Sequence, residues 1–229
     1  MKLTIKRSKR LHDLVRRSLL SRWLLIAIGW QLLLTVVGVM ISLKSGSLSP
    51  SDALTVHMNH WDAGWYLHVI AFAYGPEGSP ATPAFYPLFP LLVSLLSYIS
   101  FGLLDSLAAG LVINTVALWL ALVALYRIVS SFTTSRDASA VAAALFLAFP
   151  SAFFMHAFYG EAVFTALGFW AYSFALQKRW RAMGLILAVL TGARLPALLF
   201  VGLCALEYLR AYNWNLRQAL NPKMLWFLI

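Results

Sequence analysis

Long apolar stretches separated by short charged segments dominate the chain. The first, Trp23 to Leu43, is about 21 residues without a charge, which at 1.5 Å per residue is long enough to cross a hydrocarbon core of roughly 30 Å. Further apolar stretches follow at Leu107 to Tyr126, Ala138 to Met155, Ala162 to Gln177 and Ala182 to Leu206. This pattern predicts an all-α integral membrane protein built as a multi-helix transmembrane bundle.

The overall composition favours the same class. Of the 229 residues, 61% are hydrophobic and 11% are charged, whereas about a quarter of the residues of a soluble protein carry charge. The mean hydropathy is +0.77. These values exclude a water-soluble domain of this size. The single cysteine, Cys204, excludes a disulfide framework and a cysteine metal cluster.

Positive charge is concentrated ahead of the first apolar stretch. Eight of the eighteen Lys and Arg lie in residues 1–22, so we interpret 1–22 as a basic cytoplasmic tail and 23–229 as one transmembrane domain. This placement accounts for much of the net charge of +10 as a membrane anchor, so we predict no nucleic-acid partner. A cleaved signal peptide is less favoured because no clear small-residue cleavage site follows. The tail fits either an amphipathic helix on anionic lipid or a flexible segment.

Residues 44–106 are predicted to form an extracytoplasmic loop. The last part of this loop, Tyr86 to Leu104, is apolar, but Pro87 and Pro90 interrupt its start and leave about 14 residues, a length typical of interfacial helices. If this part lies on the outer face, sixteen of the eighteen Lys and Arg fall on the cytoplasmic side, as the positive-inside rule requires. The sequence thus predicts a multi-pass protein with a cytoplasmic N-terminus.

The last long apolar stretch contains an internal break. Arg194 and Pro196 divide Ala182 to Leu206 into two arms of roughly 18 Å each, too short for two full crossings. The stretch could be one kinked helix or a helical hairpin, and the basic residues after Leu209 favour the hairpin. Because Met224 to Ile229 looks like the start of another span, we expect the domain to continue beyond this sequence.

Polar and aromatic residues cluster in the first outer loop: His57, His60, Trp61, Asp62, Trp65, Tyr66 and His68. A helix from about Trp61 to Tyr74 would place Asp62, Trp65 and Tyr66 on one face. Interfacial aromatic residues usually anchor a helix at headgroup level, but a carboxylate there is costly unless it is solvated or paired. Among these residues, Asp62 is therefore the strongest indication of a functional site. The histidines match no usual zinc spacing, so we predict no metal site formed by these histidines.

Two further charged residues lie near predicted span boundaries. Glu161 follows Tyr159 at the outer end of a span, where it either caps its helix or supplies a second outward-facing carboxylate. Arg194 lies in an otherwise apolar stretch and needs an anionic partner. That partner is either a carboxylate of this chain or a phosphate held bidentately by the guanidinium group.

Outer-face carboxylates and a membrane-embedded arginine suit one kind of reaction. A base can deprotonate an acceptor hydroxyl while a cation stabilises a lipid-linked phosphate that departs from a sugar. The sequence contains no P-loop, no glycine-rich dinucleotide turn and no serine-nucleophile elbow. Soluble nucleotide donors are therefore not indicated.

Several motifs resemble those of a known family. The strings His60–Tyr66 (HWDAGWY) and Phe85–Leu92 (FYPLFPLL) are similar to the first outer loop of the PIG-V-type mannosyltransferases and their bacterial relatives. Phe149–Phe154 (FPSAFF) and Tyr159–Phe164 (YGEAVF) are similar to later motifs of that family. Leu190–Pro196 (LTGARLP) resembles a shorter Leu-Thr-Arg-Pro segment. The family belongs to the GT-C superfamily of polytopic glycosyltransferases.

The resemblance implies a GT-C-like bundle whose first loop carries juxtamembrane helices. It also implies inverting transfer of a sugar, with mannose as the family's sugar, from a polyprenyl- or dolichyl-phosphate donor to a glycan or lipid acceptor on the extracytoplasmic face. On this basis we predict Asp62 and Glu161 as catalytic residues. The predicted substrate-binding residues are His60, Trp61, Trp65, Tyr66, Tyr159 and Arg194. No cofactor is assigned, and a divalent cation is left open.

The chain also departs from the family pattern. Gly160 replaces the usual serine before Glu161, and superfamily members are longer and have more spans, so the domain is expected to be partial. The alternative is a non-catalytic or truncated homologue that binds membrane lipids or a partner membrane subunit. A small transporter is less favoured because the predicted spans contain few polar residues, Asn114 being the main one.

Overall fold

The computed structural model describes residues 2–44, 49–74 and 82–227, with side chains described from residue 20 onward apart from residues 50, 51 and 136. Every regular element in these ranges is a helix. The prediction of an all-α membrane bundle is confirmed. The predicted loop 44–106 is described except for 45–48 and 75–81, and Ile229 at the chain end also lies outside the described residues.

The described α-helices, in chain order, are α1 (Lys2–Lys44), α2 (Pro50–Met58), α3 (Ala63–Phe72), α4 (Leu88–Ile99), α5 (Ser106–Phe132), α6 (Arg136–Ala148), α7 (Glu161–Leu176), α8 (Trp180–Thr191), α9 (Ala197–Ala211) and α10 (Leu216–Ala219). Short 3-10 helices lie at Thr82–Ala84, Pro150–Met155 and Pro222–Phe227.

Two of the described helices are long and apolar enough to cross a membrane. They are the Leu20–Lys44 part of α1 and the whole of α5, which match the first two predicted spans. Helix α1 also continues through residues 2–22, so the basic tail is helical in the structure. Large apolar side chains are exposed along α1: Leu25, Leu32, Leu33, Val36, Met40 and Ile41. Such a surface is stable in lipid rather than in water.

Helix α5 lies at the centre of the bundle and packs against α1, α4, α6 and α7. Its first turn is capped by Asp105, whose carboxylate accepts a hydrogen bond from the Ala108 N–H at 2.8 Å. A close approach occurs at Gly110, where an added Cβ would lie 2.4 Å from the Phe158 ring. The missing side chain at Gly110 thus lets the loop before α7 lie directly against α5.

The third predicted span is shorter than expected. The apolar stretch Ala138 to Met155 was predicted as one helix, but α6 ends at Ala148 and a 3-10 helix follows from Pro150. The prediction is wrong in its second half because proline disfavours helical backbone in the residue before it. Phe149 is accordingly extended, with φ −65° and ψ 135°.

The stretch Ala182 to Leu206 forms a helical hairpin, the alternative that the charge pattern favoured. Helices α8 and α9 are separated at Gly192–Pro196. The ring of Trp180, at the start of α8, lies 4.8 Å from that of Tyr208, near the end of α9. The two arms are therefore antiparallel, and both pack against α7. The tip of the hairpin carries Arg194.

The segment between α1 and α5 contributes two short helices that support the site. Helix α3 begins at Ala63, two residues later than predicted, because Trp61 adopts a left-handed backbone (φ 50°) that cannot continue a helix. Helix α4 is only 12 residues long, in agreement with the predicted short helix in Tyr86 to Leu104. It buries Phe89 and Val93 against the bundle and leaves Leu91 and Leu95 exposed.

Candidate functional site

Three segments that are distant in the sequence meet at one end of the bundle. They are the turn before α3, the loop between α6 and α7, and the tip of the α8–α9 hairpin. The backbone N–H of Asp62 donates a hydrogen bond to the Tyr159 hydroxyl at 2.9 Å. The backbone N–H of Leu88, at the start of α4, donates to the Gly192 carbonyl at 3.0 Å. With the start of α4 as a fourth segment, the structure therefore brings together all the segments that carry family-like motifs.

Asp62 occupies the position directly before the first turn of α3. Its side chain makes no capping hydrogen bond to the helix, and the residue is exposed. Its backbone is fixed by Tyr159, whose hydroxyl accepts from the Asp62 N–H and donates to the His60 carbonyl at 3.1 Å. The carboxylate is therefore held on a constrained turn and remains accessible to a ligand.

Glu161 and Arg194 form an ion pair across the α7–hairpin contact. Nη1 of Arg194 donates to Oε1 of Glu161, and the two side chains are 36% and 17% exposed. Of the two partners considered for Arg194, the structure thus supplies a carboxylate of the same chain. The second oxygen of Glu161, Oε2, is buried and has no hydrogen-bond partner among the described residues. Glu161 is also the first residue of α7, where the helix dipole favours a negative charge.

Two tyrosines link the ion pair to Asp62. The Tyr66 hydroxyl lies 3.6 Å from the position of a Cβ on Gly160. Burial raises the pKa of Tyr66; the positive charge of Arg194 opposes this shift, and the negative charge of Asp62 adds to it. Burial also raises the pKa of Tyr159, which responds to the same two charges. Both charged groups therefore lie within electrostatic range of both hydroxyls, which stay protonated at neutral pH.

Aromatic rings form the apolar wall beside these polar groups. Tyr66 contacts Phe85 edge-on with ring centroids 5.2 Å apart, and Trp65 stacks on the same Phe85 at 6.1 Å. On the other side, the exposed Trp61 contacts Phe153 at 5.9 Å. The predicted face of α3 therefore exists for Trp65 and Tyr66, which meet at Phe85. The His60 ring lies 5.6 Å from Trp61, so His60 borders the same exposed turn.

A buried polar chain under the turn was missed by sequence reasoning. Nε2 of His57 lies 3.0 Å from Nε2 of His156, and the other nitrogen of His156 bonds Oε1 of Gln31. Nε2 of Gln31 donates to the Met155 carbonyl at 3.1 Å, which directs the Gln31 oxygen at His156. Asn114 binds the same loop through the Ala157 carbonyl at 2.6 Å. Polar residues in otherwise apolar spans were the available signal.

Burial keeps these two histidines uncharged. It lowers the pKa of His156 from 6.5 to about 4, and the neighbouring His57 adds to this effect. The pKa of His57 is also lowered, first by burial and then by His60. Neutral His156 must donate from Nδ1 to Gln31, so its Nε2 accepts the proton of His57. The chain therefore has one defined direction of hydrogen bonding.

One cavity borders the Asp62 turn, and another lies between α4 and the bundle. The first, of about 240 Å³, lies between α1 and the segment that joins α2 to α3, and is lined by His57, His60, Trp61 and His156 together with apolar residues of α1. The other, of about 440 Å³, is almost wholly apolar and lies between α4, α5, α7 and α8. Leu88 lines this cavity, and its backbone N–H is bonded to the Gly192 carbonyl at the hairpin tip, so the cavity is connected to the tip through this residue.

No metal centre is formed by the described side chains. Among them, no group of three or more His, Cys, Asp or Glu is arranged to hold a metal ion. Asp62 and Glu161 have oxygen atoms that a divalent cation could use, with water as further ligands.

The fold and the site together define a helical membrane protein with an acidic and aromatic site at one end of its bundle. Comparison with known proteins then shows the family. The model of the family Mannosyltransferase (PIG-V) matches residues 47–228, and the chain belongs to this family. No curated protein and no solved structure gave a significant match. Family membership and the apolar helices together identify a membrane glycosyltransferase of the mannosyltransferase class.

Proposed function

We propose that this chain transfers mannose from a polyprenyl- or dolichyl-phosphate donor to a glycan or lipid acceptor, with inversion at the sugar carbon, in the manner of GT-C enzymes. The observation that carries the proposal is the convergence of Asp62, Glu161 and Arg194. Asp62 is hydrogen-bonded through its backbone N–H to Tyr159, which lies two residues before Glu161, and Glu161 is paired with Arg194. The family model matches the chain over most of its length.

Arg194 is proposed to bind the phosphate of the donor. One nitrogen of its guanidinium group is engaged by Glu161, and the side chain is 36% exposed, so further N–H groups remain for an anion. Pairing with Glu161 also lowers the cost of holding a cation near the hydrocarbon region. Glu161 thereby positions Arg194, while its second oxygen, Oε2, is buried without a hydrogen-bond partner among the described residues.

Asp62 is proposed to act as the general base. The acceptor hydroxyl oxygen attacks the sugar carbon, the bond from that carbon to the phosphate oxygen breaks, and the departing phosphate keeps the electron pair. The acceptor proton passes to the Asp62 carboxylate. Arg194 stabilises the negative charge that develops on the leaving phosphate. Electrostatic stabilisation of this kind is expected to make the largest contribution to the rate enhancement.

The lipid chain of the donor is proposed to bind in the apolar cavity between α4, α5, α7 and α8. It starts at Leu88, beside the hairpin tip, and continues along α5 to Leu120. A phosphate at Arg194 would therefore leave its first isoprene units facing an apolar surface. The aromatic residues His60, Trp61, Trp65, Tyr66 and Tyr159 are proposed to contact the sugars of donor and acceptor.

The topology proposed for this function has the site on the extracytoplasmic face. The hairpin tip, the Asp62 turn and the start of α7 lie at one end of the bundle, and the basic residues Lys178, Arg179 and Arg181 lie at the start of α8, the other end of the hairpin. With these cations inside, residues 1–22 are a cytoplasmic tail and residues 23–229 a multi-pass domain.

The decisive experiment is the Asp62→Asn substitution, which removes the base and keeps the size of the side chain. Radiolabelled polyprenyl-phosphate mannose is added to native membranes, and label in glycan- or lipid-bound product is counted. Loss of a general base predicts a transfer rate lower by roughly 10²–10⁴-fold. The matched control is Asp137→Asn, at an exposed position in the first turn of α6, which should retain the wild-type rate.

Two results would contradict the proposal. Transfer by Asp62→Asn at the wild-type rate would remove Asp62 from the chemistry. An absence of transfer by the wild-type chain, with the same donor and correctly inserted protein, would favour the non-catalytic alternative in which the fold binds lipid or a partner membrane subunit.

A further inference from the structure

A third cavity lies at the end of the α8–α9 hairpin opposite Arg194. It has a volume of about 580 Å³ and is lined by Lys178, Arg179, Trp180, Arg181, Ala182, Pro222, Lys223 and Trp226. Helix α8 has 12 residues, so about 18 Å of helix separates this cavity from the hairpin tip. The cavity is therefore distinct from the candidate transferase site.

Four cationic side chains from two elements line this basic cavity. Lys178, Arg179 and Arg181 lie at the start of α8, and Lys223 comes from the 3-10 helix Pro222–Phe227. The second element is placed by close packing at Gly184, where an added Cβ would lie 2.2 Å from the Trp226 carbonyl oxygen. The convergence of the four cations is thus a consequence of packed backbone rather than of flexible side chains.

The positive charge of the basic cavity is not balanced by a carboxylate of the described chain. The ion pairs in the described ranges join Arg194 to Glu161 and Arg210 to Glu207, and none involves the four lining cations. The first turn of α8 contains no acidic residue, and the positive end of the helix dipole adds to the same field. An anion in the cavity would therefore be bound with a net electrostatic gain.

An apolar stripe on α8 leads away from the basic cavity. Arg181, Leu185 and Val189 are spaced by four residues and lie on one face of the helix. Leu185 is 55% exposed and Val189 is 47% exposed. A soluble anion would not use this stripe, whereas the acyl chain of a lipid could pack along it while its headgroup contacts Arg181.

We propose that the basic cavity binds the phosphate headgroup of an anionic membrane phospholipid, whose acyl chain lies along Leu185 and Val189. Two aromatic contacts hold the cations in place for this task. The Arg181 guanidinium carbon lies 5.8 Å from the centre of the Trp226 ring, and that of Arg179 lies 4.8 Å from the centre of the Phe174 ring. The basic cavity shares no lining residue with the apolar cavity between α4, α5, α7 and α8, whereas Val189 of the stripe also lines that apolar cavity.

The test is native mass spectrometry of the purified full-length protein titrated with phosphatidylglycerol or phosphatidylcholine. The variant Arg181→Gln/Lys223→Gln removes one cation from each element of the basic cavity. The control Arg22→Gln/Arg217→Gln removes the same net charge at exposed positions outside it. We expect at least about tenfold weaker phosphatidylglycerol binding in the cavity variant, and unchanged binding in the control.

Other outcomes overturn the proposal. Equal losses in both variants would show that net charge alone attracts the lipid. Equal affinity for phosphatidylcholine would exclude selection of an anionic headgroup. Displacement of the lipid by millimolar inorganic phosphate, with retained phosphate binding in Leu185→Ser/Val189→Ser, would indicate a soluble phosphate ligand. If the double variant does not fold, the single variant Lys223→Gln, at an exposed position, decides between the same results.

Discussion

The Tyr159 hydroxyl joins the two halves of the candidate site, and its removal gives the sharpest test of how Asp62 is held. In Tyr159→Phe the ring keeps its edge-on contacts with Tyr66 at 6.1 Å and Phe154 at 5.3 Å. Only two hydrogen bonds are lost, from the Asp62 N–H at 2.9 Å and to the His60 carbonyl at 3.1 Å. The backbone of the turn before α3 would then make no other described hydrogen bond to the loop between α6 and α7.

The size of the effect follows from those two bonds. A neutral hydrogen bond contributes about 0.5–1.5 kcal/mol net, and both freed backbone groups lie in an exposed turn where water replaces part of the loss. We therefore expect a loss of roughly 1–2 kcal/mol in the alignment of Asp62. This corresponds to a kcat lower by about 5- to 30-fold, because each 1.36 kcal/mol changes a rate tenfold.

The assay measures kcat and KM for mannose transfer in proteoliposomes, together with the melting temperature of each variant. The matched control is Tyr98→Phe, since Tyr98 is 82% exposed on α4 and lies away from the site. We expect a reduced kcat, a small change in KM and near-normal melting for Tyr159→Phe. A kcat within twofold of the wild type would refute the idea that this hydroxyl sets the position of Asp62.

Two further predictions concern stability. Gly168→Ala should destabilise the protein by about 1–3 kcal/mol through overpacking, because its Cβ would lie 2.4 Å from the Phe200 ring. The control Gly202→Ala, whose Cβ would meet nothing within 4 Å, should be neutral or stabilising by up to about 1 kcal/mol. Equal melting temperatures of the two variants would contradict the close α7–α9 contact. The pKa of His156 is about 4 in the folded protein and 6.5 in the unfolded chain. The unfolded state therefore binds more protons between these two pH values. The contribution of His156 to the free energy of unfolding should be fully present above pH 6.5 and fall by up to about 3 kcal/mol as the pH is lowered toward 4. His156→Gln should flatten this profile in thermal melts, and an unchanged profile would show that His57 or other groups cause it.

The membrane class and the main helices could be predicted because hydrophobic runs and their interruptions are local properties of the sequence. Trp23 to Leu43 and Leu107 to Tyr126 both became helices of spanning length. The break at Arg194 and Pro196 correctly indicated two arms. Hydrophobicity alone does not predict the end of α6, because the apolar run continues past Pro150 whereas the helix ends at Ala148.

The chemistry of the site was predicted from residues that are costly at their positions, namely Asp62 and Arg194. The pairing of Arg194 with Glu161 could not be decided from the sequence, because the two residues are 33 positions apart and either a carboxylate or a phosphate would satisfy the guanidinium. The His57–His156–Gln31 chain was not anticipated either. It depends on α1, α2 and the 150–160 loop coming together, a long-range event that local patterns do not encode.

The Tyr159–Asp62 tie spans 97 positions, and this separation bears on how the protein matures during synthesis. The aspartate turn is translated well before the loop that anchors it, and the arginine of the hairpin tip comes later still. The candidate site is therefore still unassembled while the early helices enter the bilayer. It is completed only when the helical pair that carries Arg194 has been inserted and the Arg194–Glu161 ion pair can form.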